Sequence, residues 1–267
     1  MPYPVIELRG ATKRFRGSAG ILTAVHELTM NVGAGEFVAV VGPTGCGKST
    51  TLSLVSGLEP PSSGEVVVGG KPVRGIPDGI GYMFQSDAIM PWKSVIDNVA
   101  AGPQFRGVAR TEARAKARIW VERVGLGSFE GYYPHQLSGG MRKRVALAQT
   151  LVNEPKILLM DEPFSALDVQ TRSLMQDELL RLWAGTGAAV IFVTHDLEEA
   201  IAIADRVIVL TAVPATVKAD FVIPLDRPRH VEEIRLTTAF LEIYREVWEC
   251  LREEVTRARE GATLSVA

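Results

Sequence analysis

The stretch GPTGCGKST at residues 42–50 constrains this chain more than any other. It fits the pattern G-x-x-x-x-G-K-[ST] and directly follows the apolar run EFVAVV at residues 36–41. That run reads as a buried strand, and the residues from about Lys48 to Gly57 read as a helix, which is the setting the pattern requires. Gly42, Gly45 and Gly47 allow a backbone path that larger residues obstruct, turning successive N–H groups toward bound phosphates. Pro43, Thr44 and Cys46 complete the loop, and the positive end of the following helix adds to the attraction. In such a loop Lys48 is expected to reach the β- and γ-phosphates of a nucleotide, Ser49 to bind Mg²⁺, and Thr50 to add a phosphate contact. A chance glycine turn would need neither the strand before it nor the helix after it.

A second chemical element lies downstream. ILLMDEP, residues 157–163, places Asp161 and Glu162 just after another buried-strand run. Ligands of open α/β sheets sit at the carboxyl ends of strands, so this acidic pair is expected to face the phosphate loop. Asp161 suits a Mg²⁺ role, directly or through water. Glu162 suits the general base, or the group that orients the attacking water. Alone, two acids at a strand end are often merely solvated.

The remaining texture supports an α/β domain. Residues 64–68, 79–83, 188–193 and 206–210 read as further strands. From about residue 88 to 154 the β signal fades. Within that stretch Ala113, Ala117, Trp120, Val121 and Val124 recur at three- and four-residue steps, which predicts an amphipathic helix in a helical insertion. After Pro228, Phe240, Tyr244, Val247, Leu251 and Val255 repeat that spacing, predicting a helical tail over 229–267 with Glu253 and Arg257 as an i,i+4 pair. A net charge of -2 argues against a nucleic-acid footprint. Cys46 and Cys250, the two cysteines, have no metal-ligand spacing, which predicts a reduced, intracellular protein. MPYPVIELRG has no basic flank and apolar core, so no signal peptide is expected, and no apolar run approaches the ~18 residues of a membrane span.

The segment LSGGM at residues 137–141 discriminates among phosphate-loop enzymes. Ser138 followed by Gly139 and Gly140 is, physically, a capped helix start that exposes backbone amides. With GPTGCGKST before it and ILLMDEP after it, the chain resembles the ATP-binding-cassette family over about residues 5 to 215. The resemblance implies an α/β phosphate-loop core with a mostly parallel sheet, an N-terminal β-rich part, a helical subdomain and a C-terminal helical tail. It makes residues 1–228 the ATPase domain, with the subdomain inserted at about 88–154. It also implies ATP and Mg²⁺ as cofactors, and a head-to-tail homodimer in which Ser138, Gly139 and Gly140 bind the γ-phosphate of ATP held by the partner subunit. Phe15 matches the residue that stacks on adenine, with a core role as the lesser alternative. Gln85 matches the glutamine that senses Mg²⁺ and couples to the membrane partner. Asp168, in SALD, matches the acidic member of the interface-crossing loop, and His195, in FVTHD, the histidine that contacts the γ-phosphate.

Met141 departs from the pattern, since the family signature usually ends in Gln. Met cannot donate an amide hydrogen bond, so its side chain is expected to pack rather than recognise nucleotide. His26, His135 and His230 match no role. Cys46 reads as a small residue that fits the loop, although a helix start can lower its pKa and make it sensitive to thiol reagents. MPWKSVIDNV, YPHQLSGGMRKRVALAQTL and MDEPFSALDVQTR resemble the bacterial importers of nitrate, sulfonate, taurine and related small anions. That implies transmembrane permease subunits as partners, a periplasmic or extracellular solute-binding protein acting indirectly, and a peripheral position on the cytoplasmic face of the plasma (inner) membrane. Met90, Pro91 and Trp92 fit either a partner surface or the core. An ATPase subunit of a lipid or other transporter, or a soluble cassette ATPase, is the alternative reading.

Overall fold

A computed structural model describes residues 4–17 and 20–264. Two long strands, β1 (Pro4–Gly17) and β2 (Gly20–Gly33), precede β3 (Phe37–Val41) and helix α1 (Lys48–Ser56). β4 (Ser63–Val68), β5 (Lys71–Pro72) and β6 (Ile80–Met83) follow. The middle is helical, with α2 (Val95–Val99), α3 (Ala101–Phe105), α4 (Arg110–Arg123) and α5 (Gly139–Leu151). Then come β7 (Ile157–Asp161), α6 (Val169–Trp183), β8 (Ala189–Val193), α7 (Leu197–Ile203), β9 (Arg206–Leu210) and β10 (Val217–Val222). α8 (Val231–Ile234) and α9 (Thr238–Leu264) are last. No helix among the described residues is long and apolar enough to cross a membrane.

One compact unit comprises Met1–Asp78 and Ala189–Ala267. Its antiparallel sheet has the order β2-β1-β4-β5, and a second set of strands runs β10-β9-β3-β8. β3 lies parallel to both β8 and β9, with Val38 beside Ile191 on one side and Arg206 on the other. β3 and β8 are buried throughout, which is why FVAVV and AVIFV show no polar alternation. β1 and β2 carry several register shifts, among them one between Leu8 and Ala11. Those irregularities blur the period-two signal and leave the sequence showing a β-rich region without strand ends.

The other compact unit is Gly79–Ala188. In it β6 pairs in parallel with β7, Ile80 beside Ile157. α4 buries Ala113, Ala117, Trp120 and Val121, the face expected from the spacing, while Val124 caps its end. The buried Asn98 ties down the preceding turn: its Oδ1 accepts from Met90 N–H, and its Nδ2 donates to the carbonyls of Met90, Lys93 and Ser94. Trp92, beside that anchor, is 72% exposed. Of the two roles open to it, core packing is therefore excluded within this chain.

The tail helix α9 buries Phe240, Val247 and Leu251 on its apolar face, with Tyr244 and Val255 half-buried beside them. The expected pairing of Glu253 with Arg257 does not form. Glu253 instead accepts from Lys218 of β10 at 2.6 Å, and Arg257 pairs with Glu254 at 3.1 Å. A lysine brought in by the sheet outcompetes the partner four residues along the helix, and an exposed i,i+4 pair is worth only ~0.3–0.5 kcal/mol.

Candidate functional site

The phosphate loop begins where β3 ends. Lys48, the first residue of α1, is 5% exposed, and its ammonium donates to the carbonyls of Gly42 and Pro43, both at 2.9 Å. The cation is thereby folded back under its own loop. Gly42 and Gly47 have no room for a side chain. A Cβ on Gly42 would lie 2.8 Å from Cys46 Sγ, and one on Gly47, whose φ is 119°, would lie 2.8 Å from Ala24 O. Thr44, Gly45 and Ser49 are exposed, Gly47 and Thr50 half-buried, and Pro43 and Cys46 buried. Gly47 caps α1 with no side-chain hydrogen bond, and no acidic residue occupies the first turn. A helix start left uncapped beside a buried lysine suits an anion such as phosphate.

Cys46 is the small residue that fits the loop, without the lowered pKa that a helix start can give. Burial pushes its thiol up, and the neighbouring Lys48, which acts to lower it, does not compensate. At 1% exposed the sulfur is a packing group, so desolvation outweighs the helix end and sensitivity to thiol reagents does not follow.

Phe15 sits on β1, 36% exposed, with Lys13 Nζ 5.1 Å from its ring centroid. That is not a core position. His195 is exposed just beyond β8, between two anchored neighbours. Thr194, buried before it, donates to Glu199 and accepts from Asp196 N–H, and Asp196 caps α7 by accepting from Glu199 N–H. The backbone on both sides of His195 is thus fixed while its ring remains accessible.

In the Gly79–Ala188 unit, Asp161 ends β7 and Glu162 follows in the left-handed region at φ 42°. Ser165 holds that turn, its N–H and hydroxyl both donating to Glu162 O. Gln85 Nε2 lies 3.4 Å from Glu162 Oε2. Burial, followed by the charge of Asp161, raises the pKa of Tyr82 and keeps its phenol neutral.

Ser138 caps α5, its hydroxyl accepting from Met141 N–H at 3.3 Å. Asp168 caps α6 in the same way, accepting from Thr171 N–H at 3.0 Å, and that bond holds its exposed carboxyl below the usual range. The two caps adjoin, because a Cβ on Gly140 would lie 2.8 Å from Thr171 Cγ2. Ser138, Gly139 and Gly140 therefore stand beside the start of α6, with Ser138 exposed.

Residues 25–165 match the ABC transporter family. An uncharacterised ABC transporter ATP-binding protein of Methanocaldococcus jannaschii is 42% identical over 253 residues, 95% of this chain and 93% of its own. A taurine import ATP-binding protein of Burkholderia pseudomallei is 44% identical over 239 residues, 88% of this chain and 92% of its own. This chain belongs to the ABC transporter family. It is an ATP-binding, ATP-hydrolysing transporter subunit. Its fold is similar to that of an ATP-binding cassette solved as a dimer in a post-hydrolysis state with ADP and Pi. The TM-score is 0.73 at 30% identity, covering 83% of this chain and 100% of that one.

Sequence reasoning missed how this ABC subunit secures its Gln85 segment. Lys143 of α5, 2% exposed, donates to Gln85 O at 2.7 Å and pairs with Asp87 at 3.0 Å. Arg142 reaches the other oxygen of Asp87, also at 3.0 Å. The basic run MRKRV was the available signal, but it reads equally well as a solvated helix face. His26, His135 and His230 are exposed, and His135 stacks on Tyr133. Among the described residues no three His, Cys, Asp or Glu side chains cluster as a metal cage.

Proposed function

We propose that this chain is the ATPase subunit of an importer for a small anionic solute such as a sulfonate, taurine or nitrate. The observation that carries this is the 44% identity to the taurine import protein over 88% of the chain. The exposed Trp92, on a turn anchored by Asn98, supports a permease-binding surface, since exposed aromatics are enriched where partners dock. In this reading residues 1–228 form the ATPase domain and 229–267 an added helical tail.

Two chains would form a head-to-tail homodimer, peripheral to the cytoplasmic face of the inner membrane and joined to permease subunits. A solute-binding protein on the other side would choose the cargo. Phe15 would stack on adenine. Lys48 would exchange its carbonyl partners for phosphate oxygens, and the amides from Gly42 to Thr50 would hold the remaining charge. Ser49, Gln85 and Asp161 would hold Mg²⁺, which when bound neutralises phosphate charge. Glu162 would accept the proton of the attacking water, His195 would fix the γ-phosphate, and Ser138, Gly139 and Gly140 would act on the nucleotide of the partner subunit. Asp168 would lie at the dimer interface, while Met141 would pack.

Affinity purification from native membranes in mild detergent tests the reading. Recovery of a polytopic permease, followed by a solute-binding protein that takes up sulfonates or nitrate, is the expected result. Recovery of the homodimer alone, under conditions that preserve other transporters, would remove the importer role. It would favour a soluble cassette ATPase.

A further inference from the structure

Glu254, on α9, is a carboxylate only 1% exposed. Burying a charge is costly unless its partners satisfy it, so its partners show what the position is for. Lys218 pairs with it at 2.9 Å and Arg257 at 3.1 Å. The third partner is the backbone N–H of Ala212, which donates at 2.9 Å. Ala212 is the second residue of the loop between β9 and β10, which runs from Thr211 to Thr216.

That loop is a closed unit. Thr211 N–H donates to Thr216 O at 3.0 Å, Thr216 N–H to Thr211 Oγ1 at 2.9 Å, and Thr211 Oγ1 to Pro214 O at 3.0 Å. Its tip is fastened to β2. Ala215 N–H donates to Ala24 O and His26 N–H to Ala215 O, both at 2.9 Å. The same two alanines wall in the phosphate loop. A Cβ on Gly47 would lie 2.8 Å from Ala24 O and 3.1 Å from Ala215 Cβ. A cavity of about 260 Å³ completes the contact, with Pro43, Thr44 and Cys46 on one side and Ala212 and Arg257 on the other. Ten residues earlier, about 15 Å along the helix, Tyr244 comes near Asp196 and Glu198, the acids that follow His195. The tail helix therefore borders two of the three elements that its unit would contribute to the nucleotide site, the phosphate loop and the turn of His195; Phe15 on β1 is the third.

We propose that Glu254 is a positioning residue for ATP binding: acting through the Thr211–Thr216 loop, it holds Gly47 and the phosphate loop in their binding geometry. The inference rests on reading residues 42–50 as the phosphate loop. It makes the C-terminal helix a working part of the nucleotide site rather than an added prop.

The test uses the full chain carrying Cys250→Ser, so that Cys46 is its remaining thiol. Steady-state ATP hydrolysis and the rate of Cys46 labelling by a maleimide are measured together. In Glu254→Ala the Ala212 N–H and the Lys218 ammonium lose a buried acceptor. KM for ATP is expected to rise about tenfold with kcat nearly unchanged, because binding is lost equally in ground and transition states. Cys46 labelling is expected to accelerate about tenfold as the loop opens, and Glu254→Asp to recover part of both effects. A lowered melting temperature with unchanged KM and unchanged labelling would show that α9 only packs, and would overturn the proposal. Should Glu254→Ala fail to fold, Lys218→Gln carries the same test, with a rise in KM of about threefold supporting the proposal and no change overturning it. Lys48→Ala separates the underlying reading. If that variant binds ATP as tightly as the parent, the phosphate-loop assignment fails whatever Glu254 does.

Discussion

The ammonium of Lys143, a buried lysine, donates to the backbone carbonyl of the exposed Gln85 at 2.7 Å, while the Gln85 side chain reaches Glu162 at 3.4 Å. One residue is thus held by α5 at its backbone and faces the acid pair with its amide. The helix that opens with Ser138 and the turn that carries Glu162 are joined through Gln85.

Removing that tie should affect turnover more than binding. In Lys143→Met the Gln85 carbonyl loses a charged donor and Asp87 keeps only Arg142. We expect kcat to fall about tenfold while the dissociation constant for ATP stays within about threefold, as for one buried charge-assisted bond. Nucleotide titration beside a phosphate-release assay measures both, and an unchanged kcat would show that the tie is only structural.

Glu162→Gln keeps the shape of the turn and removes the carboxylate proposed as the base. The variant is expected to bind Mg-ATP, to hydrolyse it at least ~100-fold more slowly, and to accumulate as a dimer. Size-exclusion chromatography with light scattering, with and without Mg-ATP, reads the outcome. A variant that stays monomeric, or turns over normally, would remove Glu162 from the role assigned to it.

Acid should loosen the tail. Burial works against the Glu254 carboxylate, but the Ala212 N–H, Lys218 and Arg257 overcome it and hold its pKa below the ordinary glutamate value. A carboxyl lowered on folding stabilises the native state above its unfolded pKa of ~4.3, and that stability is lost as pH falls through the lower folded value. The difference in unfolding free energy between parent and Glu254→Gln should therefore be full at pH 7 and shrink below about pH 4. Chemical denaturation across that range checks the sign, and a difference that grows in acid would contradict it.

Trp92→Ala should leave the isolated subunit almost untouched, because the side chain is 72% exposed. Unfolding free energy is expected to change by less than ~0.5 kcal/mol, with ATPase activity of the isolated subunit retained. Recovery of permease on affinity purification should drop sharply. Normal recovery would place the docking surface elsewhere.

How much of this was legible in the sequence depended on the range over which each interaction acts. The loop around Lys48, the acid pair after β7 and the cap at Ser138 are written in consecutive residues, where spacing alone carries the chemistry. So are the buried runs of β3 and β8 and the apolar stripe of α9. Failures came where a distant residue decided the outcome. Lys218, thirty-five positions before Glu253, took the partner that helix spacing assigned to Arg257. Burial of Cys46 by its surroundings reversed the effect that a helix start can have. Lys143 looked like one more charge on a basic helix until the fold placed a carbonyl in front of it. Nothing in VWECLREEV distinguishes Glu254 from its solvated neighbours, since its role depends on a loop forty residues away.

Glu162 also sits where a side chain is unwelcome. Its φ of 42° lies in a region that costs a non-glycine residue roughly 1 kcal/mol or more. Glycine there would relax the turn and should raise the melting temperature, yet it would abolish the carboxylate. If Glu162 is the base proposed for it, durability and turnover pull residue 162 in opposite directions, and screening variants of this subunit for heat resistance alone would tend to select an inert transporter.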